Sequence, residues 1–190
     1  MSARVLSAAS IVVLSVTISA SQGWKNTAPE SFRANGQVTE TPGGVAASMT
    51  IQIDRYTSDA DHNALVAALR AGDNTAFLDA VRKAPVVGAV KIGDRSVPIR
   101  WARQRRQGDG RRVAVMTDAP VYFFGAGSPD AKPTTGFDVA VIEFTVDSVG
   151  IGNGTMAAAA HVKPGGPSGI QVDDYSGKRI TLTTVTRNSS

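Results

Sequence analysis

The chain of 190 residues carries 20 lysines and arginines against 16 acids, with two histidines and no cysteine. That length suits one domain, able to bury roughly 70% of its unfolded surface in a single core. The missing cysteine excludes a disulfide framework and a lipid-modified N-terminal cysteine, and the net charge of +4 implies weak anion attraction rather than any particular fold.

In chain order, residues 1–20 read as a secretory leader: basic Arg4, an apolar stretch from Val5 to Ala20, then small residues suited to cleavage near Ala20. The stretch is shorter than the roughly 20 apolar residues that span a bilayer and carries hydroxyl side chains, so no stable membrane span is expected after cleavage. Cleavage would leave a net charge of +3, since Arg4 is the only charged residue removed. The expected location is periplasmic or extracellular, which argues against genomic nucleic acid as a partner.

Residues 21–44 are polar and broken by Pro29, Pro42, Gly43 and Gly44, so they are expected to form a loose arm, with Trp24 and Phe32 as docking points on the body. The folded domain is expected over 45–190. Met49, Ile51 and Ile53 alternate with Thr50, Gln52 and Asp54 as in a half-buried strand. Ser58 or Asp59 then caps a helix with an apolar stripe of Leu65, Val66 and Leu69, ended by Gly72. A second short helix, capped by Asp73 or Asn74, presents Phe77, Leu78 and Val81 before Pro85.

Seven strand patterns follow, separated by short Gly-containing connections: "VVGAVKI", "VPIRWARQRR", "RRVAVMTD", "FDVAVIEFTV", "IGNGTMAAAAHV", "GIQVDDY" and "KRITLTTVTR". Both parities of "FDVAVIEFTV" are apolar, which predicts a central strand covered on two faces. The expected fold is therefore α+β and mainly β: one N-terminal strand, two short helices, then a curved antiparallel meander of about seven strands, barrel-like or half-barrel. The helices are expected to lie across the concave face or to plug one end.

Six arginines crowd residues 100–112. Strand parity groups Val97, Ile99, Trp101, Arg103 and Arg105 on one face and Arg100, Gln104 and Arg106 on the other. A charged hairpin tip protruding beyond the core accounts for the run and also protects an edge; the sharper alternative is a site for phosphate, carboxylate or sulfate groups. Apart from Trp101 no aromatic interleaves with these arginines, so a single-strand nucleic-acid platform is not expected.

Other chemistry is sparse. His62 lies beside Asp59 and Asp61, but no second histidine stands at helical spacing and capping explains the acids, so no metal centre and no cofactor are expected. "GGPSGI" lacks the closing glycine and the strand-to-helix context of a nucleophile elbow. Asp173 and Asp174 are neighbours on a strand and point to opposite faces. "GIGNGT" lies between strands and reads as twist or bulge chemistry. Tyr122, Phe123 and Phe124 lead into a long loop, either closing the core or forming a pocket mouth.

"IQIDRYTSDADHNALVAAL" and "GDGRRVAVMTDAPVYF" resemble a group of exported bacterial proteins, over about 140 residues from Met49 to the C-terminus. The resemblance is marked by Asp54, Arg55, Tyr56, Thr57, Ser58, Asp59 and Asp61, then by Gly110, Arg111, Arg112, Thr117, Asp118 and Pro120. It implies export and a common fold, with no activity attached. The order of elements is also similar to Bet v 1-like helix-grip proteins, except that a strand pattern, "RITLTTVTR", stands in place of their long C-terminal helix.

Three roles follow as expectations. The first is a non-catalytic exported domain binding an anionic envelope polymer, another envelope component or a small amphipathic ligand at the open end of the sheet. The second is a hydrolase or isomerase with an Asp/Arg site built from Asp54, Asp59 or Asp118 with Arg111. The third is a structural accessory protein of an exported complex. The candidate ligand-binding residues are Asp54, Arg111, Arg112, Asp118, Tyr122 and Phe124, and what separates the roles is whether the acids and arginines among them meet in one cavity.

Overall fold

A computed structural model describes residues 27–38, 45–121, 135–175 and 180–188. All seven strand patterns after the helices form strands: β3 (Gly88–Ile92), β4 (Arg95–Gln107), β5 (Gly110–Thr117), β6 (Val139–Val146), β7 (Ile151–Pro164), β8 (Ile170–Tyr175) and β9 (Ile180–Arg187). The alternating segment before the helices is β2 (Val45–Ile53). One further strand comes from the stretch expected to be a loose arm: β1 (Glu30–Val38) pairs with β2 along its length and with β9 on its other side. Phe32 and Ala34 on β1 are fully buried, so Phe32 docks as part of a strand and not from an arm.

The sheet runs in the order β6-β5-β4-β3-β2-β1-β9-β7-β8, and β6 also pairs with β7. That last pairing closes eight antiparallel strands into a barrel and leaves β8 outside the ring, hydrogen-bonded to the far end of β7. A ring of eight strands is just wide enough for its own side chains to fill. Phe32, Met49, Ile51, Ile99, Val115, Ile142, Phe144, Met156 and Leu182 fill it here, with Phe32 and Phe144 meeting edge to face at 4.8 Å between ring centres.

Because the interior is full, the helices have no room inside, and the expectation that they cross a concave face or plug an end is corrected. Helices α1 (Asp59–Arg70) and α2 (Asn74–Lys83) lie on the outside of the wall. Leu65, Val66, Leu69, Phe77 and Val81 form a second core there with Trp101, Met116, Val139, Ala157 and Ile170. The caps are Ser58, which accepts from the Asp61 amide, and Asp73, which accepts from the Thr75 and Ala76 amides. The prediction that β6 is covered on two faces holds: Ala140, Ile142, Phe144 and Val146 belong to the barrel core, and Val139 and Val141 to the outer one.

One irregularity sets the positions of the arginines. The pairing of β4 with β5 shifts register between Ile99 and Trp101, a bulge that reverses parity along β4. Val97 and Ile99 therefore pack with the barrel core, while Trp101 belongs to the outer one. After the bulge it is Ala102 and Gln104 that take the interior side, and Arg103 and Arg105 share the outer side with Trp101. Past the end of β3, the edge of β4 is held by Thr57, whose Oγ1 accepts from the Ala102 amide at 2.8 Å and whose own amide donates to the Ala102 carbonyl. Nor does the arginine run form a protruding tip, since Arg111 and Arg112 are already paired with Val146 and Thr145 of β6 inside the wall.

Candidate functional site

Arg111 and Arg112 are adjacent on β5, so the pleat sends them to opposite faces. Arg111 enters the barrel. β5 and β1 stand four strands apart in the eight-stranded ring, on opposite walls, and Arg111 reaches across to Glu30. The pair is bidentate, Nη1 to Oε1 at 2.7 Å and Nη2 to Oε2 at 2.5 Å, and both residues are buried. Tyr56 donates its hydroxyl to Glu30 at 2.5 Å and Thr27 does so at 2.8 Å, while Arg187 lies 3.3 Å from the other carboxylate oxygen. Arg111 also donates to Gln104 and Thr27 and lies over the Phe32 ring.

Burial works to raise the Glu30 carboxyl, but the donors from Arg111, Tyr56 and Thr27 outweigh it and hold it below its ordinary value. Burial likewise works to lower the Arg111 guanidinium, and Glu30 overcomes it and raises it. Burial and the adjacent Glu30 push the Tyr56 phenol upward. A carboxylate held ionised by this many donors is a poor base, and a guanidinium this deep is a poor ligand. The network serves as a polar plug closing one end of the barrel, with its polar atoms satisfied.

Arg112 faces out and pairs with Glu143. Three connected hollows of about 310, 130 and 240 Å³ meet at these two side chains and form one cleft on the outer wall. Strand register builds its floor in rows across β4, β5, β6 and β7. Trp101, Met116, Val141 and Ala157 make the deepest row, and Arg103, Ala114, Glu143 and Thr155 the next. Arg105, Arg112, Thr145 and Asn153 make the outermost. The floor thus grades from apolar to cationic within three rows. Gly166, Pro167 and Ser168 roof it from the β7–β8 turn, and Ile170 and Val172 of β8 form its side.

His62 on α1 stands at the edge of the middle hollow. The Trp101 indole N–H donates to its Nδ1 at 3.0 Å, which requires a neutral ring with the proton on Nε2. Burial, then the Arg103 charge, lowers the His62 pKa, against a smaller opposing pull from Asp59. The Asp59 carboxylate is itself bound by Arg103 at 2.8 Å.

The remaining sequence candidates scatter. Asp54 is exposed beyond β2 and accepts from Gln52 at 2.7 Å. Asp118 lies just past the far end of β5 from Arg111, held by Arg100 at 2.7 Å, and Arg100 also binds the Ala84 carbonyl. Tyr122 and Phe124 lie outside the described residues. Of the four described candidates only Arg112 lines the outer cleft, and the acids and arginines among them do not meet in one cavity. Among the described residues no three acids or histidines gather as a metal would require. The sequence reading missed Arg103, Arg105 and Glu143 as cleft residues, because the bulge that turns Trp101, Arg103 and Arg105 outward has no glycine or proline to mark it.

No family model matches the chain, and no curated protein or solved structure matches it either.

Proposed function

We propose that this protein is an exported, non-catalytic domain that binds a small amphipathic ligand in the cleft on the outer wall of its barrel. The observation that carries this reading is the graded floor, from Trp101 and Met116 through Ala114 to Arg105 and Arg112, under a roof from the β7–β8 turn. A mostly apolar hollow with a few convergent polar groups at one end is the usual form of a small-molecule site. The leader pattern of residues 1–20 supports export. The catalytic alternative lacks its constellation: Arg111 is engaged with Glu30, and Asp54, Asp59 and Asp118 are all elsewhere.

Titration calorimetry with decyl glucoside below its micelle concentration tests the cleft. The wild-type chain is expected to bind one equivalent. Ala157→Phe, which places a ring over the deepest row, is expected to abolish binding while leaving the circular dichroism spectrum unchanged. Absence of binding to the wild type, or equal binding by the folded variant, contradicts the reading.

A further inference from the structure

We infer that the cleft's ligand carries an oxyanion head group, seated between Arg105 and Arg112, with a single apolar tail running inward over Trp101 and Met116. This rests on the proposed cleft and goes beyond it by assigning the chemical class and the orientation of the ligand. Arg105 and Arg112 are direct cross-strand partners on the outer face of β4 and β5. Like charges directly opposite one another destabilise a sheet, so the arrangement needs an anion to offset it. Arg112 has Glu143 for this purpose and Arg103 has Asp59. The Arg105 guanidinium has no ion-pair or hydrogen-bond partner among the described residues.

Taken together, three guanidiniums at the mouth face two carboxylates, which leaves one positive charge for a ligand to neutralise. The planar fork of arginine suits phosphate, sulfate and carboxylate oxygens alike. Two residues further in, the same register places Arg103 and Ala114, and then Trp101 and Met116, so a head held at the mouth directs its tail along the apolar row. Arg105 is exposed and Arg112 half-buried, so their hold on an anion must weaken with salt.

The test compares decyl phosphate, decyl glucoside, decyltrimethylammonium and inorganic phosphate on the full chain by calorimetry, at low and high salt. Wild type is expected to prefer decyl phosphate to decyl glucoside by about tenfold, the size of one charge-assisted contact at a partly exposed site, and to lose most of that margin at high salt. Arg105→Gln with Arg112→Gln is expected to erase the preference for decyl phosphate over decyl glucoside. Arg33→Gln, an exposed arginine on β1, is expected to change nothing. Inorganic phosphate is expected to bind at least tenfold more weakly than decyl phosphate, because it leaves the apolar row uncovered.

Equal affinity of wild type for decyl phosphate and decyl glucoside overturns the head-group assignment and leaves the cleft standing. Binding of inorganic phosphate as tightly as decyl phosphate overturns the tail. If no amphiphile binds, both this inference and the cleft reading fall together.

Discussion

Glu30 and Arg111 join opposite walls of the barrel through one buried, bidentate ion pair, and removing either partner strands the other away from water. Glu30→Gln or Arg111→Met is therefore expected to lower unfolding free energy by about 3–5 kcal/mol, measured by urea denaturation. The double replacement Glu30→Leu with Arg111→Met is expected to cost less than the two single losses added together, since neither charge is then left unpaired. A loss under about 1 kcal/mol in both single variants would mean that water reaches the pair.

His62 leads to a pH prediction at the same scale. Its folded pKa lies below 6.5, so between that folded value and 6.5 the unfolded chain binds more protons than the folded one. The stability contributed by the neutral ring is fully present above pH 6.5 and is lost as pH falls through the folded value. Glu30 and Asp173 also titrate low in the folded chain, but their contributions are lost only below ordinary values of 4.5 and 3.8. Stability is thus expected to fall from pH 7.5 to 5.5, and His62→Gln, which keeps an acceptor for the Trp101 indole, is expected to flatten that slope. An unchanged slope in the variant would contradict a lowered His62 pKa as its source. Neither residue was legible as structural in the sequence: a glutamate after Pro29 reads as surface, and a histidine in a capped first turn reads as solvated.

The elements themselves were largely legible, because each rests on local chemistry. Ser58 and Asp73 start the helices as their hydroxyl and carboxylate predict, and the Gly-containing connections separate the strands of the meander. Strand β1 is not legible in the sequence because Glu30 and Gly36 share its buried face with Phe32 and Ala34 and interrupt the apolar alternation that marks a strand. The "GIGNGT" segment behaves as its glycines suggest, since β7 shifts register against β9 between Gly152 and Gly154. A Cβ on Gly152 would stand 1.7 Å from the Thr145 carbonyl oxygen of β6. Gly152→Ala is accordingly expected to destabilise the protein by about 1–3 kcal/mol through forced separation of β6 and β7, read as a lowered melting temperature. An unshifted melting temperature would show that β7 does not approach β6 this closely.

At the level of the whole molecule, ring closure was only partly readable. A bent antiparallel meander follows from successive hairpins, but closure depends on β1 meeting β9 and on β6 meeting β7 alongside β9. The β1–β9 contact joins segments nearly the whole chain apart, and no local pattern announces it. Once the ring closes around its own side chains, the helices must go outside, and the apolar outer residues Val139, Ala160 and Val162 find their cover there. The cleft arises where that cover stops short of the charged end of β4 and β5. At this scale export has its own check: mass spectrometry of protein secreted from cells should give a chain beginning near Ser21, whereas retention of residues 1–20 would contradict the proposed leader.

The most direct measurement is quenching of Trp101 fluorescence by decyl phosphate brominated at the tail end, in a Trp24→Phe background at pH 8, where His62 stays neutral. Trp101 floors the deep end of the cleft, so quenching is expected to be strong and saturable, and to disappear with Ala157→Phe. Binding detected by calorimetry with no quenching of Trp101 would place the ligand elsewhere on the molecule and contradict the account.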